Sequence, residues 1–429
     1  VSVSERQNRA PAAGGSRFVE PGSVPGSPSR LIALDGLRGI ASMVVVFHHI
    51  YQIARPYIEP TTNAWAPGSF WWLISSTPLK LLSAGSESVL VFFVLSGLVV
   101  PLPLLAKGPR VWVGFLASRL IRLYVPVWAS LILAGIWINA LPHPAGAVVD
   151  GSWVERSNGT AAPFGLLFSE AGLVRKSFSS NTVLWSLQWE LIFSLALPLF
   201  VLVALIIRRF WVVAVVACYS LTVLGKVLDV DALLYLPVFF LGTLVAVNLD
   251  ALRSWARRVG GIRRARVLGW LVLAASFLSI VASWMARPIF HAGTTVSDAL
   301  GSLTPIGALG LVVCAIVFVP IERALSTRPA QALGKISFSL YLTHLPILVA
   351  FTYLFGESNW GLVAIVGIPT ALAVAYLFYR FVEAPSHQLA KLVGRRVTAF
   401  TERTRIALTA RVRARRVSRI DLEPQNRPG

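Results

Sequence analysis

Apolar residues recur along this chain in runs of about twenty, separated by short polar or arginine-bearing connections. A run of that length spans the hydrocarbon of a bilayer as one helix. Ten such runs are legible, at 34–53, 85–105, 123–141, 183–207, 211–228, 232–250, 268–286, 300–320, 336–355 and 360–381. The pattern predicts an all-α, polytopic membrane protein with about ten transmembrane helices. Residues 1–30 are rich in Pro, Gly, Ser and Arg and read as a disordered cytoplasmic tail. Residues 31–387 hold the spans, and 388–429 form a basic cytoplasmic tail. The first apolar stretch reads as a retained helix rather than a cleaved signal peptide.

Composition agrees with this class. The chain is 55% apolar, only 14% charged and carries 14 Trp, with a mean hydropathy of +0.69. The net charge of +20 would suit a polynucleotide, but its distribution argues against one. With the N-terminus in the cytoplasm and connections assigned alternately, 32 of the 39 Lys and Arg fall inside and 7 outside. That asymmetry is the positive-inside pattern and places both termini in the cytoplasm. The implied partners are membrane lipids, with no nucleic acid. Cys218 and Cys314 lie within apolar runs and read as packing residues; no metal site is implied. The sequon Asn158–Thr160 sits in the longest outer loop, 142–182, which is long enough to cover a site. The inner loop 251–267 holds six arginines, and the final tail alternates apolar residues such as Leu389, Val393, Val397 and Phe400 with arginines, which suits a helix on anionic lipid or a solvated tail.

Ionisable residues within apolar runs are the functional candidates, because burying them in hydrocarbon is costly. Arg38 and His49 are eleven residues apart in the first run. At about 100° per residue that is roughly three turns plus 20°, with a rise of about 16 Å. The two share a face, with Asp35 and Ser42 close to the same stripe, while His48 points about 80° away from Arg38. Arg119 and Arg122, at i and i+3, enter the third run from the cytoplasm and present two planar forks suited to phosphates. Glu190 lies roughly 10 Å inside the outer end of the fourth run. By rise, His49 reaches a similar depth, so a carboxylate–imidazole pair across a shared cleft is expected. Ser337, Tyr341 and His344 form one polar stripe on the ninth run, with His344 near mid-depth, and Glu87 sits at the outer mouth of the second. Each of these residues has a bland alternative: anchoring a helix end, or clamping two helices together.

Six motifs in order resemble the acyltransferase type 3 family of integral-membrane acyltransferases over about 31–387. They are Arg38 with His49, the run Phe92 to Gly97, Arg119 with Arg122, Trp185 to Glu190, Leu236 to Gly242, and Ile336 to His344. Leu191 stands where many members carry a second acidic residue, and the fused extracytoplasmic domain of some members is not expected here. The resemblance implies transfer of an acyl group, acetyl in the first instance, from cytoplasmic acyl-CoA to a hydroxyl of a sugar, glycolipid or other envelope or secreted acceptor. Acyl-CoA is then a substrate, and no cofactor is bound. Arg38, Arg119 and Arg122 would hold the CoA end. His49 would be general base or transient acyl carrier and Glu190 would orient it, with Asp35, Ser186, Tyr341, His344 and Glu87 in support. A transporter or flippase running a Glu190/His344 proton relay is the competing reading. Arg- and Ala-rich, Lys-poor usage points to a GC-rich bacterial genome, and with the apolar runs the expected location is a bacterial plasma membrane.

Overall fold

The computed structural model describes residues 32–420 except 63–65, 109–110, 176, 261 and 291–292, and it describes no side chain at 408 or 410–420. Every regular element among the described residues is helical. The principal helices are α1 (Ile32–Ile58), α2 (Gly85–Val99), α3 (Trp112–Ala140), α4 (Leu184–Ile207), α5 (Trp211–Leu228) and α6 (Asp231–Val247). They continue as α7 (Leu249–Val259), α8 (Arg263–Ala286), α9 (Thr304–Val317), α10 (Arg328–Phe355), α11 (Trp360–Phe378) and α12 (Ala384–Ile420). Each of the ten expected runs falls on one of these helices. The first tail, 1–30, lies outside the described residues.

Seven helical stretches among the described residues are long and apolar enough to cross a membrane, or eight if α6 and α7, bent by 64°, form one span. The number is below ten for two reasons. A three-residue 3-10 turn, Arg208–Phe210, joins α4 and α5 into one stretch of 45 residues. In addition, α1, with Asp35, Arg38, Arg55 and two histidines, is too polar to qualify by apolarity. The chain is a multi-pass membrane protein.

The most buried of the long apolar helices is α10, and it packs most extensively on α1. Their backbones meet at Gly39 and Gly334; a Cβ on Gly39 would lie 2.4 Å from the Gly334 nitrogen. The same device joins α2 to α6, where a Cβ on Gly97 would come within 2.0 Å of the Phe239 carbonyl oxygen and one on Gly242 within 2.1 Å of that of Val94. Small residues allow this approach, and within lipid the packing gained there holds helices together. Buried hydroxyls are satisfied by the preceding turn of their own helix, as in Ser42 to Gly39 (2.8 Å), Thr343 to Ser339 (2.9 Å) and Thr352 to Leu348 (2.8 Å).

Two boundaries differ from expectation. The third helix begins at Trp112, eleven residues before the expected start of the third span, so Arg119 and Arg122 lie inside it rather than ahead of it. The basic tail does not begin as a separate segment at 388. Helix α12 starts at Ala384 and packs on α3, with Gly394 and Thr398 against Gly114. Its small residues face α3 there, whereas Leu389, Leu392 and Phe400 stay exposed.

Candidate active site

A cavity of about 560 Å3 opens where α1, the start of α2, the 142–182 loop and α10 converge. That volume suits a small organic ligand. Its wall contains His48, His49, Gln52, Ser86, Trp153, Arg156, Thr182 and Tyr341, and it holds no Asp or Glu. The loop supplies the roof. Ser152 caps the short helix Trp153–Ser157 by accepting from the Glu155 N–H (3.3 Å), which presents Trp153 to α1. The loop is also tied to the turn between α10 and α11. The buried Glu357 accepts from the Val149 N–H (2.7 Å), and the Glu357 N–H donates to the Ala147 carbonyl (2.7 Å).

His49 is the centre of the ring contacts in this chamber. Trp153 stacks on it at 5.1 Å, His344 lies at 5.2 Å, and His48 meets it edge-on at 5.3 Å. The His344 Nδ1–H donates to the Leu340 carbonyl (2.8 Å), since a carbonyl only accepts. The proton is thereby fixed on Nδ1, and Nε2 carries a lone pair. That Nε2 is buried without a partner, and so is Nδ1 of His49. His344 backs His49 without lining the cavity, and two buried imidazole nitrogens without partners so close together are unusual, because buried polar atoms are ordinarily bonded. The His48 Nδ1–H donates to the Ser83 carbonyl (2.9 Å). Helical register set His48 apart from the functional face, yet it lines the same chamber, because the chamber is wide enough to reach both side chains.

A narrow slot of about 30 Å3 adjoins this chamber, lined by Arg38, Phe92, Ser96, Ser186, Glu190, Ser337 and Tyr341 among others. Val89 and Tyr341 line both spaces. The Tyr341 hydroxyl is fixed there by Ser186 Oγ (2.7 Å) and by donating to the Val183 carbonyl (3.1 Å). Glu190 accepts from Arg119 and from Ser96 Oγ (3.2 Å), and Arg119 Nε also donates to Ser194 Oγ (3.0 Å). Arg122 lies within electrostatic reach of Arg119 and of Arg38.

The expected His49–Glu190 pairing is not made. Glu190 is bonded to Arg119 and Ser96, whereas His49 keeps an unpartnered Nδ1. Rise along a helix fixes depth along the membrane normal but not lateral neighbours, and at this level Glu190 meets α3 through Arg119 and α2 through Ser96. The two arginine forks also part company: Arg119 turns to Glu190, and Arg122 is exposed. Asp35 stays in the first turn of α1, near Arg38 in sequence but absent from the slot wall.

Glu87 faces away from the chamber and accepts from Trp284 Nε1 (2.8 Å). Beside it the fully buried Lys80 lies over Trp284 at 3.9 Å and Tyr51 at 4.3 Å. Nothing in the sequence pattern singles out Lys80, a lone cation between two apolar runs. The pattern also gave no role to Trp153, Arg156 or Gln52. The only signal for Trp153 was a large aromatic isolated in a polar, Gly- and Pro-rich loop. No group of three His, Cys, Asp or Glu side chains able to hold a metal occurs among the described residues.

Residues 31–380 match the family model described as an acyltransferase domain. A curated relative, the O-acetyltransferase PaAT-1 of Phomopsis amygdali, is 27% identical over 435 aligned positions that cover 85% of this chain and 84% of the relative. No solved structure matches.

Proposed function

The chain belongs to this acyltransferase family, and from that premise we propose that it moves an acyl group, acetyl in the first instance, from acyl-CoA to a hydroxyl of a sugar, glycolipid or other envelope or secreted acceptor. O-acyl transfer is supported by the family and by the O-acetyltransferase relative. The observation that carries the finer reading is the pair of adjoining spaces. The histidine chamber holds an unpartnered base and an acid-free polar wall, and it shares Tyr341 and Val89 with a slot reached by Arg38 and the Arg119–Glu190 pair.

In this reading the acceptor occupies the chamber. His49 takes the proton of its hydroxyl as the oxygen attacks the thioester carbonyl. The C–S bond then breaks, the CoA sulfur leaves as thiolate and is protonated, and the ester remains on the acceptor. Arg38 and Arg122 hold the anionic CoA end. Glu190 acts through Arg119, setting the direction of its guanidinium, rather than through His49. Ser186 and Tyr341 shape the junction, and His344 backs the His49 ring. A multi-pass protein of a bacterial plasma membrane, with cytoplasmic termini and donor, completes the proposal.

The test pairs release of free CoA thiol by purified protein with mass spectrometry of envelope and secreted glycans from a deletion strain. CoA release that depends on acceptor and on His49, and loss of one acyl mass in the strain, are the expected results. Absence of both would leave only the family assignment.

A further inference from the structure

A second cavity, of about 570 Å3, lies apart from the histidine chamber, where α7 meets the start of α8, the end of α9 and the turn after it. Its wall is apolar, built from side chains such as Trp255, Val259, Trp270, Cys314 and Phe318. Trp270 and Phe318 meet edge to face at 5.1 Å. Gly269 leaves room for that ring, since a Cβ there would come within 2.7 Å of it. Two charged residues line the space, Arg266 and Arg323; both are cationic and exposed. The segment 251–267 bears six arginines and no carboxylate.

Helix α7 leaves α6 at 64°, off the direction of a span. Leu252, Trp255 and Val259 fall on one side of it and Arg253 and Arg257 on the other. A helix of that pattern lies in the membrane interface, with its apolar side inward. The cavity therefore opens at the level where lipid phosphates end and acyl chains begin.

The geometry points to a binding site for an anionic phospholipid, with an acyl chain in the apolar slot and its phosphate between Arg266 and Arg323. Both halves of the ligand are specified. A soluble anion gains nothing from the tryptophan-lined wall, and a zwitterionic lipid fills the slot without compensating the two guanidinium groups. Long-chain acyl-CoA also combines an anionic head with a chain, but its adenosine and several phosphates find no polar wall here. The site lacks a base, and its thiol, Cys314, is buried. It holds a ligand rather than transforming one, and it does not depend on the acyl-transfer reading.

The test uses the full chain, extracted in mild detergent, delipidated, then offered equimolar phosphatidylglycerol and phosphatidylcholine and read by native mass spectrometry. Wild-type protein is expected to retain phosphatidylglycerol over phosphatidylcholine by roughly thirtyfold, the scale of two basic residues at a lipid surface. Arg266→Gln combined with Arg323→Gln brings the ratio close to one. Gly269→Leu, which blocks the slot, removes both lipids while the arginines remain; Cys314→Phe fills the same space from α9 should the first variant aggregate. Equal retention of the two lipids by wild type, an unchanged ratio in the double arginine variant, undiminished lipid in the slot-filling variant, or displacement of phosphatidylglycerol by equimolar long-chain acyl-CoA overturns the assignment.

Discussion

Arg119 of α3 and Glu190 of α4 close into an ion pair, and Ser194, one turn beyond Glu190, accepts from the Nε of the same guanidinium at 3.0 Å. Both partners are about four-fifths buried, with side-chain exposures of 18% and 21%. Removing either one strands the other's charge. Arg119→Ala and Glu190→Ala are each expected to lower stability by on the order of 2 kcal/mol, and the double variant by clearly less than the sum. Thermal unfolding of the four proteins in one detergent measures this, and strictly additive losses would show that the pair is not coupled.

The two histidines of α1 should differ in weight. His49→Ala is expected to reduce acyl transfer by roughly 10²- to 10⁴-fold, the usual range for loss of a general base, while the protein still reaches the membrane. His48→Ala, whose Nδ1–H is occupied by the Ser83 carbonyl, should cost far less. Turnover of membrane-inserted protein compares them. An inactive His48→Ala beside an active His49→Ala would reverse the assignment of the base.

Arg122 is exposed where Arg119 is paired, so its replacement should separate binding from folding. Arg122→Lys keeps the charge but loses the bidentate fork. The KM for acyl-CoA should rise by about tenfold, equivalent to about 1.4 kcal/mol, with the unfolding temperature unchanged. An unaltered KM would leave Arg122 as an anchor of the helix entry.

These expectations show how far the linear sequence reaches. Each of the ten apolar runs falls on helix, because hydrocarbon imposes helix and length together, while the count of spans is seven or eight among the described residues. Register placed Arg38 and His49 on one face of α1, and one line each joins the slot and the chamber. Lateral order was not legible. Nothing in the residues around Glu190 says that its neighbour is Arg119 rather than His49, since rise fixes depth alone. Two of the motifs end on glycines, Gly97 and Gly242, that meet each other's helices backbone to backbone and serve packing.

Lys80 offers a pH test. Burial holds its ammonium down to about 8, against an ordinary value of 10.5. Between those values the folded protein binds fewer protons than the unfolded one, so this residue makes stability rise with pH across the window. Subtracting the unfolding temperature of Lys80→Met from that of wild type, pH by pH, should give a difference that climbs from pH 8 to pH 10. A flat difference would mean that the amine is solvated.

Glu357 ties down the roof of the chamber through Val149 and Ala147. Glu357→Ala should speed amide hydrogen exchange in 147–155 by more than tenfold, the equivalent of about one lost charged hydrogen bond, while exchange in α10 stays slow. Uniformly faster exchange throughout the protein would indicate global loosening instead.

The constriction at Tyr341 has an electrical consequence. A slot of about 30 Å3 has room for one or two water molecules, not for a continuous file of them. With its hydroxyl held by Ser186 and Val183, Tyr341 narrows the passage between the histidine chamber and the slot beside Arg38 to less than a water file. The protein can then hold polar groups deep within the bilayer without shunting the ion gradients of its membrane.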